Sequence, residues 1–256
     1  MCLCHALSRR RLLLGGSAAA LMLPLGGCVG TAAGAGAPTI VSDDQVRQAG
    51  LRSWQQIVAN TPASSNAAHI AAANAASGRL LRAAGEAPGA WEVRVFAGDE
   101  INAFALPGRK IGIYDGLFRV ADTPDQLATV VGHEIGHVQA RHGAQRLNNA
   151  LATSIGLDLI GTALSVGNMS GAREIGAALG VGAELGILRP YSRRQELEAD
   201  AFGLRLMDAA GYDAREAITL WQDMARVGGS TPELISTHPA PATRIEEMRG
   251  LIAQLA

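Results

Sequence analysis

His133-Glu134-Ile135-Gly136-His137 sets two imidazoles four positions apart with a carboxylate between them. Four residues is just over one turn of α-helix, so both rings project from one face and can chelate a single cation, while Glu134 stands beside it to handle a proton. Zinc peptidases use this spacing. The five residues alone carry moderate weight, because His and Glu also fall by accident on solvated helices. Whether this helix is solvated or buried is decided by its flanks.

Thr123-Pro124-Asp125-Gln126 reads as a helix start, with Thr123 as N-cap, Pro124 at the first helical position, an acid in the first turn and Gln126 closing a capping box. Leu127, Val130, Val131 and Val138 follow at helical spacing, which predicts an apolar stripe and histidines on a buried or half-buried helix. His142 is read as continuing that helix. Five residues past His137 it is turned about 140° away, which predicts a surface position.

Catalytic zinc takes three protein ligands and keeps one position for water, so a third donor has to come from further along the chain. Ser192-Arg193-Arg194-Gln195-Glu196-Leu197-Glu198-Ala199-Asp200 supplies the candidates. Ser192 with Gln195 forms a second capping box, and the helix it opens runs to about Ala210, where Gly211 stops it. Glu196 and Asp200 are i and i+4 neighbours; one can ligate while the other orients a ligating histidine through its free ring N–H. Glu198 is turned about 200° from Glu196 and is predicted to face solvent.

A small sheet is predicted before the metal helix. Trp91 to Phe96 alternates large apolar with polar residues, and Ala103 to Leu106 and Lys110 to Tyr114 read as two short strands around a Pro107-Gly108 turn. An exposed edge of that sheet could pair with an extended peptide backbone and so set a scissile carbonyl over the metal.

These segments fall in a familiar order. Asn102-Ala103-Phe104-Ala105-Leu106-Pro107-Gly108, Gly116-Leu117, the His133 to His137 helix, Ser192-Arg193 through Glu196 and Asp200, then Thr237-His238-Pro239 and Arg244 resemble the HtpX and CAAX prenyl protease family of zinc metallopeptidases. The likeness runs from residue 40 to 255. It implies a zincin-like domain of the α+β class, mainly α, with a small β-sheet packed beside the metal-binding helices. It implies one Zn2+ per chain held by His133, His137 and Glu196, with Glu134 as general base and Asp200 orienting a ligand. It also brings His238 and Arg244 to the active site, on the substrate or transition state, or with the histidine approaching the metal. One departure is Arg109-Lys110, where relatives often have a second glycine. Pro239 biases His238 to an extended conformation on a stiff loop. From there the ring could fill the open metal position or donate to a developing oxyanion.

Residues 1–27 read as a bacterial lipoprotein signal: Arg9-Arg10-Arg11, a short apolar run from Leu12 to Leu25 broken by glycine, and Leu25-Gly26-Gly27 before Cys28. Cys28 is the predicted lipid anchor, residues 28–40 a small-residue tether, and residues 41–256 the metallopeptidase domain. Val29 after the cysteine, in place of aspartate, points to the outer membrane, facing the periplasm. The tandem arginines also resemble a twin-arginine export signal. Cleavage would remove Cys2 and Cys4, so no disulfide is expected within the mature chain.

The full chain carries a formal net charge of −1, and losing the three arginines of the signal shifts it to −4. Such a balance excludes a nucleic-acid partner held by a basic surface. Between Asn148 and Leu188 stand eight glycines and only four charged residues. Ala150 to Val166 is predicted to form a buried or mutually packed helix, with Asp158 arguing against a membrane span, and the glycines that follow would suit a lid. Together these readings predict an envelope endopeptidase acting on misfolded or unassembled envelope proteins. The alternative is a chaperone-like lipoprotein whose metal centre is structural or latent.

Overall fold

The computed structural model describes residues 41–149, 191–227, 232–238 and 242–255. The signal, Cys28, the tether, the stretch from Ala150 to Val166 with its glycine-rich continuation, and Pro239 lie outside the described residues. Helix α1 (Asp43–Asn60) opens on a reciprocal Ser42 and Gln45 capping box, and α2 (Ala67–Ala83) on the Asn66 side chain, which accepts from the Ala68 and His69 amides. Both signals satisfy amides that have no partner inside the helix.

The three strands are β1 (Glu92–Phe96), β2 (Ala103–Leu106) and β3 (Lys110–Tyr114), in the order β1-β3-β2. β1 runs parallel to β3 with Glu92 opposite Lys110, and β2 antiparallel to β3 with Ala105 opposite Ile111. The turn between β2 and β3 explains the departure at Arg109, whose φ of 64° lies in the left-handed region that glycine occupies freely. An L-residue accepts this conformation at a cost of about 1–2 kcal/mol. Ile111 and Ile113 of β3 are buried in one continuous core with Leu80 and Leu81 of α2 and Val131 and Ile135 of the next helix.

That next helix, α3 (Pro124–Gln139), starts as its sequence predicts, with Thr123 Oγ1 accepting from the Gln126 amide at 3.2 Å. The return half of the capping box is displaced by one residue. Gln126 Oε1 accepts from the Asp122 amide at 3.1 Å, leaving its Nε2 to donate to Glu216 at 3.2 Å. After Gln139 the helix stops. Arg141 takes a φ of 57°, and a separate helical stretch begins at His142 and runs through residue 149.

Four more helices follow: α4 (Arg193–Ala209), α5 (Glu216–Arg226), α6 (Glu233–Thr237) and α7 (Ala242–Ile252). α4 carries the predicted Ser192 and Gln195 capping box and ends before Gly211, at φ 73°. α3 and α4 meet backbone to backbone. A Cβ on Gly136 would stand 2.8 Å from the Ala199 carbonyl oxygen, and one on Gly203 would stand 2.9 Å from the His133 amide nitrogen. Only glycine permits that approach, and it brings the carboxylates of α4 within reach of the histidines of α3. Among the described residues, no helix is long and apolar enough to cross a membrane.

Candidate metal centre

His133 and His137 leave α3 on one face, Glu196 meets them from the first turn of α4, and His238 reaches in from the C-terminal end of α6. The four side chains are buried, and their donor atoms lie within 4.8 Å of one another. His133 Nε2 is 3.0 Å from His137 Nε2, 3.1 Å from His238 Nδ1 and 3.4 Å from Glu196 Oε2; His137 Nε2 is 3.5 Å from Glu196 Oε1. Bonds of about 2.0–2.1 Å in a tetrahedron separate neighbouring ligand atoms by about 3.3 Å, so these spacings suit one zinc ion.

The outer partners fix the tautomers. Asp200 Oδ1 lies 2.9 Å from His133 Nδ1, so that nitrogen carries the hydrogen and Nε2 presents its lone pair to the cluster. Arg244 grips Asp200 from the far side, Nε to Oδ2 at 2.5 Å and Nη2 to Oδ1 at 2.7 Å, and donates from Nη1 to the His238 carbonyl at 3.1 Å. Its Nη1 is also 2.8 Å from Glu196 Oε2, and its guanidinium lies 4.2 Å from the centre of the Trp221 ring. Although that contact is short, Oε2 makes no hydrogen bond of good geometry, a buried oxygen left available to a cation. Arg244 is 1% exposed and stands behind the carboxylates, on the side of Asp200.

Glu134 faces the same space. Its Oε2 accepts from the Ala105 amide of β2 at 2.9 Å, while Oε1 has no hydrogen-bond partner and lies 3.3 Å from His238 Nε2. Burial raises the Glu134 pKa above the ordinary carboxylate value. For Glu196 burial acts in the same sense, but hydrogen bonds from His133, His137 and His238 outweigh it and hold the carboxylate far below its usual range. His133 is subject to burial that lowers its pKa, overcome by Asp200 and Glu196, which lift it to about 9. His137 has no such carboxylate behind it; burial drives it well below 6.5 and keeps it neutral.

His142 does not lie at the surface. It is 0% exposed, with Nδ1 2.8 Å from His137 Nδ1. The angular argument assumed an unbroken helix, and the left-handed residue at Arg141 turns the ring back toward His137. Glu198 faces solvent as its position on α4 predicts, with its Oε2 3.4 Å from His142 Nε2. Two further neighbours complete the surroundings, Tyr191 without a sequence signal and Asn102 from the motif that opens β2. Tyr191 stacks on His137 with ring centroids 3.7 Å apart, and the buried Asn102 lines a small cavity beside Glu134 and His238.

Residues 69–252 match Peptidase family M48. The mitochondrial metalloendopeptidase OMA1 of Schizosaccharomyces pombe is 34% identical over 173 residues, covering 66% of this chain and 49% of its own length. The beta-barrel assembly-enhancing protease of Escherichia coli K12 is 32% identical over 163 residues, 61% of this chain and 33% of the relative. Its Yersinia pestis counterpart is 29% identical over 234 residues, 89% of this chain and 47% of the relative. The chain thus spans less than half the length of these relatives. The match nonetheless covers most of the chain, including all four side chains of the cluster. The chain belongs to peptidase family M48, a family of zinc metallopeptidases, and carries an enzyme site of that kind.

Proposed function

We propose that this protein is a zinc endopeptidase of the bacterial cell envelope, anchored by a lipid on Cys28, that cleaves misfolded or unassembled envelope proteins. The observation that carries the peptidase reading is Glu134: buried, tethered by one oxygen to β2 and turning the other toward the metal ligands. A structural metal site has no use for such a base. The envelope assignment draws on the lipoprotein-like signal and on likeness to bacterial proteins named beta-barrel assembly-enhancing protease; the relatives named mitochondrial metalloendopeptidase OMA1 point to a different compartment and give it no support. Residues 1–27 as signal, 28–40 as tether and 41–256 as catalytic domain belong to the same proposal.

In this reading His133, His137 and Glu196 hold the zinc, and Asp200, backed by Arg244, orients His133. Held by these residues, a zinc ion would supply Lewis-acid chemistry, polarising a scissile carbonyl and lowering the pKa of a water beside Glu134. Glu134 takes the water proton and delivers it to the leaving amine. β2 is an edge strand of the sheet, and in this reading an extended substrate backbone pairs with that edge beside the Ala105 amide that holds Glu134.

The placement of His238 favours a second reading, a latent centre. Its Nδ1 sits 3.1 Å from His133 Nε2 and completes a set of four donors. Metal analysis of the purified full chain, paired with hydrolysis of an unfolded casein-like substrate, separates the two. Zinc with turnover supports the peptidase; zinc without turnover, in both the parent and His238→Ala, supports the structural centre.

A further inference from the structure

The two histidines of α3 are supported from behind in different ways. Behind His133 stands a buried carboxylate, Asp200. Behind His137 stands another imidazole, and its 2.8 Å separation from His142 leaves room for one hydrogen between the two Nδ1 atoms. The cluster decides on which side it sits. His137 Nε2 faces the other donors and must present a lone pair to a metal, so in the neutral ring the hydrogen is on Nδ1 and points at His142. His142 Nδ1 then accepts, which puts the hydrogen of His142 on Nε2. That atom lies 3.4 Å from Glu198 Oε2 at the protein surface.

We infer that His142 is a positioning residue for His137, the middle member of a hydrogen-bonded chain running from Glu198 through two imidazoles to the metal. The inference rests on the metallopeptidase reading. Its geometry is independent of the catalytic base. His142 is fully buried, its donor atoms lie outside the metal cluster, and the break at Arg141 aims its ring at His137. Outer partners of metal-bound histidines fix the ring's tautomer and orientation, and losing one typically weakens metal affinity about 10- to 100-fold. A neutral imidazole backed by a carboxylate that is 55% exposed polarises His137 less than Asp200 polarises His133. His137 is accordingly the softer of the two grips.

Zinc affinity of the full chain in detergent, measured by chelator competition, tests this. His142→Phe keeps the ring's bulk and removes the acceptor, and is expected to weaken zinc binding about 10- to 100-fold. His142→Asn returns an acceptor near the position of Nδ1 and is expected to recover most of the loss. Equal affinity in parent and His142→Phe, or no recovery in His142→Asn, overturns the assignment. Ring 15N spectra of the zinc-loaded parent give a second readout that needs no variant: His142 should carry its hydrogen on Nε2 with a bare Nδ1, and a hydrogen on Nδ1 overturns the chain. If the parent binds no zinc, the metallopeptidase reading falls together with this one. Zinc binding unaffected at His142 removes only the role of that residue.

Discussion

The Ala105 amide of β2 donates to Glu134 Oε2 at 2.9 Å, joining the edge of the sheet to the middle of α3. A glutamine at that position still accepts this bond, so Glu134→Gln should fold and retain zinc while losing the proton carrier. The expected fall in peptide hydrolysis is about 10²- to 10⁴-fold. Parallel zinc determination and a casein-type assay check it, and wild-type turnover in the variant would show that the base has been misassigned.

Glu196→Ala should lose both zinc and activity, because the carboxylate contributes to the donor set and is flanked by three histidines. Glu198→Ala, altered on the solvent side of the same helix, should keep its metal. Atomic emission on the two purified variants decides the point; zinc kept in the first and lost in the second would reverse the ligand choice.

Asp200→Ala removes the partner of His133 and both carboxylate contacts that Asp200 makes to Arg244. Zinc affinity should drop about 10- to 100-fold. Loss of one side of a buried ion pair costs about 3–5 kcal/mol, visible in urea unfolding at neutral pH. Burial alone would raise the Asp200 pKa, yet Arg244 pulls it below 3.8. A depressed carboxylate stabilises the fold above its unfolded pKa and loses that contribution as pH falls through the folded value. The stability gap between wild type and Asp200→Asn should therefore hold down to about pH 4 and close below it.

His238→Ala frees a position in the donor set. If the ring restrains the resting enzyme, the variant should cleave unfolded substrate faster than wild type in initial-rate assays. A loss of about 10²-fold or more would instead assign His238 to stabilising the oxyanion.

Cys28→Ser should leave the protein without its lipid and move it from the membrane pellet to the soluble fraction. Fractionation followed by immunoblotting reads this directly. Variant protein that stays in the pellet after a high-salt wash would point to a second attachment, for which Ala150 to Val166 is the candidate.

Much of the fold could be read from residues that act locally. Thr123, Ser192 and Gly211 mark helix ends because each satisfies or relieves backbone groups within one turn. The i, i+4 pairs on α3 and α4 are visible for the same reason. What escaped detection depends on contacts that no local pattern records. The break after Gln139 has neither glycine nor proline at Ala140-Arg141, so nothing announced that His142 would turn inward. Gly132, Gly136 and Gly203 let α3 and α4 touch, a contact between segments far apart in the chain. Arg109, a departure from the family's turn, adopts the left-handed backbone that glycine occupies freely.

The burial of Arg244 has a further consequence. Glu134, Glu196 and Asp200 bring three negative charges into a region almost closed to water, and Arg244 supplies one positive charge against them. Arg146, whose guanidinium lies over the Tyr191 ring, adds a second positive charge at the border of the site. A divalent cation among the ligands would offset carboxylate charge that Arg244 leaves uncancelled, which lowers the cost of holding those carboxylates in a medium of low dielectric. Charge thereby joins size as a criterion of metal choice.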